Sequence, residues 1–135
     1  MRHAEDLAGI NAALACYVDG VNQRDAALWA SSWDEEAEWR LFDPEPVRGR
    51  EAIVAAWTAA MADFPFVVMH ATQGQVLVEG DEAQGRSYTS EVAETADGRH
   101  LRVWGCYVDR YRKRNGVWRF SSRTFSILKS EDHSS

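Results

Sequence analysis

Hydrophobic residues recur at three- and four-residue intervals through the first half of the chain and alternate through the second. Between Glu5 and Val21, the side chains of Leu7, Ile10, Leu14, Tyr17, Val18 and Val21 fall on one helical stripe. Asn22-Gln23-Arg24 ends that stripe, and Asp25 is placed to cap a short second helix, AALWASSW, which buries Leu28, Trp29 and Trp33. Ala37 to Phe42 reads as extended, and Asp43-Pro44-Glu45-Pro46 breaks it because each proline restricts the residue before it. A short strand or loop reaches Gly49, after which Ile53, Val54, Trp57 and Met61 predict a third helix over Arg50 to Ala62, stopping near Asp63-Phe64-Pro65. Beyond Pro65, Phe66 to Glu79, Ala83 to Ala93 and the hairpin Leu101 to Leu128 read as four long strands, with turns at Gly80-Asp81 and Asp97-Gly98. Helices followed by an antiparallel meander give an α+β plan, in which a curved sheet closes around the helices and leaves an open mouth.

The hairpin around Arg114-Asn115-Gly116 decides which side chains share a face. A two-residue turn at Asn115-Gly116 would put Arg114 opposite Val117 and would send Tyr107 and Arg123 to opposite faces. A three-residue loop, with Gly116 supplying the positive φ of a bulge, would pair Lys113 with Val117 and Tyr107 with Arg123. The second is favoured, because it sets a phenol beside a guanidinium. The other face would then carry Trp104, Cys106, Val108, Trp118 and Phe120, an apolar surface that predicts a homodimer or homotrimer.

At 135 residues the chain fits one domain, placed at residues 1–129, with the polar tail SEDHSS at 130–135 expected to fray. The net charge of -6 argues against a nucleic-acid partner, since phosphate backbones would be repelled. No apolar run is long enough to span a bilayer, and the first residues carry acids where a signal peptide would be basic and apolar, which predicts a cytoplasmic protein without a membrane partner. Cys16 and Cys106 lack CxxC spacing and read as free, buried thiols.

Candidate chemistry is sparse. His70 stands among apolar residues in Val67-Val68-Met69-His70-Ala71-Thr72, as either a satisfied core histidine or a group that moves a proton near neutral pH. His3, His100 and His133 share no ligand spacing with it, so neither a metal nor another cofactor is expected. Tyr17, Val18 and Asn22 lie close to one face at the end of the first helix, and read either as core and C-terminal residues or as cavity lining. Trp39 follows the acids Asp34, Glu35, Glu36 and Glu38 as a core or pocket-wall tryptophan. Arg123, in mid-strand, must meet a carboxylate such as Glu91 or await an oxygen-rich ligand.

Gly20-Val21-Asn22-Gln23-Arg24, Trp33-Asp34-Glu35-Glu36-Ala37-Glu38-Trp39 and Arg114-Asn115-Gly116-Val117-Trp118-Arg119-Phe120-Ser121 resemble, in wording and order, segments of the SnoaL-like branch of the nuclear transport factor 2-like superfamily. The resemblance covers nearly the whole chain and is nearest to the group of scytalone dehydratase, hexachlorocyclohexane dehydrochlorinase and the bile acid 7α-dehydratases. It implies a cone-shaped α+β barrel, three N-terminal helices packed in a strongly curved, mostly antiparallel sheet. It also implies a cofactor-free lyase or isomerase, of dehydratase, dehydrohalogenase or cyclase type, acting on an apolar, cyclic small molecule. His70 matches the general base of these lyases, Arg123 the arginine that holds substrate or leaving group, and Trp39 and Tyr107 the pocket walls, while Tyr17 matches a cavity-facing helix position. Asn22 stands where the relatives have an aspartate that charges the histidine, and Glu91 is the alternative source of that charge. An amide orients a histidine without raising its basicity, so a non-catalytic, ligand-binding member of the fold is the second reading.

Overall fold

The structure is a computed structural model that describes residues 2–134, with side chains from 3 to 133, so Met1 and Ser135 lie outside it. Three helices, α1 (Arg2–Gln23), α2 (Ala26–Ser31) and α3 (Arg50–Met61), alternate with and precede six strands: β1 (Trp33–Arg40), β2 (Val47–Arg48), β3 (Phe66–Glu79), β4 (Glu82–Glu94), β5 (Arg99–Arg114) and β6 (Val117–Ser134). The strands form one sheet in the order β2-β1-β6-β5-β4-β3, antiparallel except where β1 runs parallel to β6. The sheet curves around the helices as the α+β cone expected from the sequence. Asp25 caps α2 by accepting a hydrogen bond from the Leu28 N–H at 3.0 Å. No described helix is long and apolar enough to cross a membrane.

The core explains the helical stripe. Ile10, Leu14, Tyr17 and Val21 of α1 are buried against Trp29, Trp33, Trp39, Trp57 and Phe120. Trp29 stacks on Trp57 with ring centroids 4.5 Å apart and meets Trp33 and Trp39 edge-on.

Two expectations about the hairpin and the tail are corrected. Arg114 pairs with Val117, so the turn is the two-residue one, and positive φ at Asn115 (51°) and Gly116 (76°) gives it the type I′ form that matches strand twist. Tyr107 and Arg123 nevertheless share a face, because the β5–β6 register slips between Arg110 and Tyr111: Tyr111 pairs with Phe120, but Arg110 pairs with Ser122. The extra residue, Ser121, lets Phe120 and Arg123 both face inward. Trp118 and Phe120 are therefore buried in the core and do not join Trp104 and Val108 on the outer face. The expected frayed tail is instead the end of β6, which pairs with β5 as far as Ser134 opposite Arg99, stitched by an Arg99–Asp132 ion pair at 2.8 Å.

Candidate functional site

A cavity of about 270 Å³ opens at the mouth of the cone and is lined almost wholly by apolar side chains from α1, α3 and the sheet. Its polar groups are few. Tyr17 comes from the last turns of α1, Trp39 from β1, Glu91 from β4 and Tyr107 from β5. A larger groove, about 410 Å³, runs along the outside of the sheet between Glu36, Glu38, Glu79, Glu82, Arg110 and Arg112. Its charged, solvent-facing walls suit a ligand less well than the apolar chamber inside the cone does.

At the floor of the cavity the Tyr17 and Tyr107 hydroxyls lie 3.2 Å apart, and the Trp39 indole N–H donates to Tyr107 Oη at 3.2 Å. Two phenols carry two protons, and the contact between them uses one. The other is left for a ligand. Burial raises the pKa of both phenols, so both stay protonated donors at neutral pH.

Arg123 lies beneath this pair and not in the cavity wall. It is fully buried, with its guanidinium 3.7 Å from the Tyr107 ring centroid, 4.1 Å from Phe120 and 4.4 Å from Tyr17. Its carboxylate partner is Asp109, not Glu91: Nε donates to Oδ1 at 2.7 Å and Nη2 to Oδ2 at 3.3 Å. Ser87 closes the unit, accepting from Arg123 Nη2 at 2.6 Å and donating to Asp109 Oδ2 at 2.9 Å. Burial is the largest influence on Arg123 and opposes its charge, but Asp109 and the two phenols outweigh it and leave the pKa raised. Asp109 was missed in the sequence, although it shares the alternation of Tyr107 and Tyr111, and a buried arginine requires such a partner.

Glu91 faces inward. On β4 it pairs with Met69 of β3 and Val103 of β5, both cavity-lining, and its carboxyl group has no hydrogen bond or ion pair among the described residues. Burial pushes its pKa up. Its charge is felt at Tyr17 and Tyr107.

Three expected site residues lie elsewhere. His70 is exposed on the outer face of β3, where it pairs with Ser90, and Met69 takes the inward position beside it. Asn22 makes no contact with His70. Its side chain instead completes the backbone of β3, donating to Met69 O at 2.8 Å and accepting from Met69 N at 2.7 Å. Val18 packs against the core and is absent from the cavity lining. No group of side chains suited to a metal ion occurs among the described residues.

An α+β cone that closes around an apolar chamber with a few converging polar groups defines a small-molecule-binding fold. Residues 2–124 match the model of the SnoaL-like domain, and the chain belongs to that family, within the nuclear transport factor 2-like group. The chain is similar to the structure of a type 2 hexachlorocyclohexane dehydrochlorinase, with 22% identity over 98% of this chain and 91% of that one and a TM-score of 0.87. A protein provisionally named scytalone dehydratase, from Novosphingobium aromaticivorans, shares 19% identity over 96% of this chain and 89% of that one, with a TM-score of 0.86. A protein of unknown function from Mycobacterium tuberculosis shares 27% identity over 95% of this chain and 75% of that one, with a TM-score of 0.77. A search of curated proteins found no match.

Proposed function

We propose that the protein is a cofactor-free lyase or isomerase that moves a proton on a neutral, apolar, cyclic small molecule, with Glu91 as the proton-transfer group. One observation carries this reading: an unpartnered carboxyl group with a raised pKa faces an apolar cavity whose floor holds a phenol pair with a proton to donate. Ionised Glu91 removes a proton from carbon. Tyr17 or Tyr107 hydrogen-bonds the oxygen or leaving group on which negative charge develops, and the guanidinium under both rings supports that donation. Elimination and isomerisation share this first step.

The test is direct. Wild-type protein is incubated with a panel of neutral cyclic ketones, alcohols and halides, and products are read by gas chromatography–mass spectrometry. On any converted compound, Glu91→Gln lowers kcat/KM by about 10²–10⁴-fold, while His70→Ala leaves it unchanged. Retained turnover in Glu91→Gln overturns the assignment. A binding-only protein is the second reading, favoured by the positions of His70 and Asn22, which leave the relatives' histidine dyad unavailable to the cavity. Compounds that bind and are never converted support it.

The outer face of the sheet carries Val68, Tyr88, Val92, Trp104 and Val108, with Tyr88 44% and Val108 55% exposed, which supports a homodimer or homotrimer built there. The free thiols of Cys16 and Cys106 fit a reducing, cytoplasmic setting.

A further inference from the structure

Gly105 lies on the inward face of β5, between Val103 and Tyr107, at a place where its backbone makes no special demand, since its φ is outside the left-handed region. What requires glycine there is space. A Cβ at Gly105 would meet the Phe125 ring at 2.2 and 2.5 Å and Thr89 Oγ1 at 3.0 Å. The Phe125 ring thus fills a slot that exists because residue 105 has no side chain. Behind it lies the Thr89 hydroxyl, 4% exposed as a residue and without a hydrogen-bond partner.

A buried, unpartnered hydroxyl is a cost that a ligand can remove. The Phe125 ring is only partly buried, and it touches Tyr107 at 4.9 Å between centroids on one side and Phe42 at 5.9 Å on the other. Phe42 is itself 72% exposed at the cavity mouth, so displacement toward it crosses no packed core. Withdrawal of the ring would leave a slot as wide as one aromatic ring, floored by Gly105, with Thr89 on one wall and Tyr107 beside it. Glu91, two residues along β4 on the same face, stands at its entrance.

We infer that Phe125 is a gate over a ring-sized subsite, and that this subsite takes a planar six-membered ring bearing a hydroxyl or carbonyl group that pairs with Thr89. The inference rests on the cavity as the ligand site and not on proton transfer by Glu91. It adds a specificity rule to the apolar chamber: a polar substituent is rewarded at the ring edge that enters the slot, in addition to one that meets the phenol pair on the floor.

Equilibrium dialysis against 2-naphthol and naphthalene tests it with the full chain, one ring seating in the slot and the other in the chamber. Wild type is expected to prefer 2-naphthol by about tenfold, and Thr89→Val, which keeps the shape and removes the hydroxyl, to abolish that preference. Phe125→Ala opens the slot and is expected to tighten 2-naphthol binding about tenfold; Phe125→Leu serves if the alanine variant does not fold. Dialysis reads binding without turnover, so a Thr89-dependent preference that persists where no compound is converted separates failure of the catalytic reading from failure of this inference. An unchanged preference in Thr89→Val overturns the inference, as does equal or weaker 2-naphthol binding once Phe125 is shortened.

Discussion

Removing one member of the Arg123–Asp109 pair should cost far more than removing both. Each side chain is fully buried, the two are joined by contacts of 2.7 and 3.3 Å, and Ser87 occupies positions on both. Asp109→Leu leaves a guanidinium without its counter-charge, and Arg123→Met leaves a carboxylate without its own. Either loss is worth about 3–5 kcal/mol, a large share of the roughly 5–15 kcal/mol that stabilises a typical domain. The double variant strands neither charge and replaces an expensive ion pair with apolar volume. It forfeits mainly the guanidinium's contact with three aromatic faces, about 2 kcal/mol in a desolvated site. Urea unfolding followed by tryptophan fluorescence reads all three, since five of the tryptophans sit in the adjoining core. The double variant should be more stable than either single one, with a coupling of about 3 kcal/mol or more. Losses that add to within about 0.5 kcal/mol would refute the view that the two charges form one unit.

Other expectations follow from the same contacts. Asn22→Ala should cost about 1–3 kcal/mol, because it strands the N–H and C=O of Met69, and Asn22→Asp should also destabilise, since a carboxylate cannot donate to Met69 O; thermal unfolding checks both. Burial holds the folded-state pKa of Glu91 above its unfolded value of about 4.3, so its contribution is intact below that pH and is lost as pH rises through the folded pKa. Glu91→Gln should therefore be more stable than wild type to urea at pH 7, and the gain should vanish near pH 4. The rate on a converted substrate should rise with pH through an apparent pKa above the ordinary carboxylate value. Light scattering at micromolar concentration should give a dimer or trimer mass; a monomer would count against the outer face as an interface.

Much of the fold was legible because its elements follow single periods. The α1 stripe, the α2 cap and the α3 spacing each obey a helical repeat, and the long strands are bounded by glycine turns at Gly80 and Gly98 whose positive φ the turns require. What alternation cannot show is a slip. Asn115-Gly116 forms the tight turn its composition suggests, and by strict pairing that turn would separate Tyr107 from Arg123. One unpaired residue, Ser121, restores them to a common face. Nothing in Phe120-Ser121-Ser122-Arg123 marks a bulge, except the physical demand that a mid-strand arginine find a carboxylate, which Asp109 meets only in the slipped register.

The site was harder to place for a related reason. A strand offers two faces, and a choice of one residue exchanges them. In β3 one face presents Val67, Met69 and Ala71, and the other Val68, His70 and Thr72. By hydrophobicity alone the first belongs inside, and the resemblance to histidine-dependent lyases pulled toward the second. The decisive contact is nonlocal: the Asn22 amide clamps both backbone groups of Met69 and fixes which face β3 turns to α1. An aspartate at position 22 could accept from the Met69 N–H but could not donate to its carbonyl. The amide is thus matched to a backbone partner as well as mismatched to a histidine one. The Asn22 amide thus holds Met69 on the inward side while His70 beside it turns outward, and among the described residues Glu91 is the carboxyl group that lines the cavity.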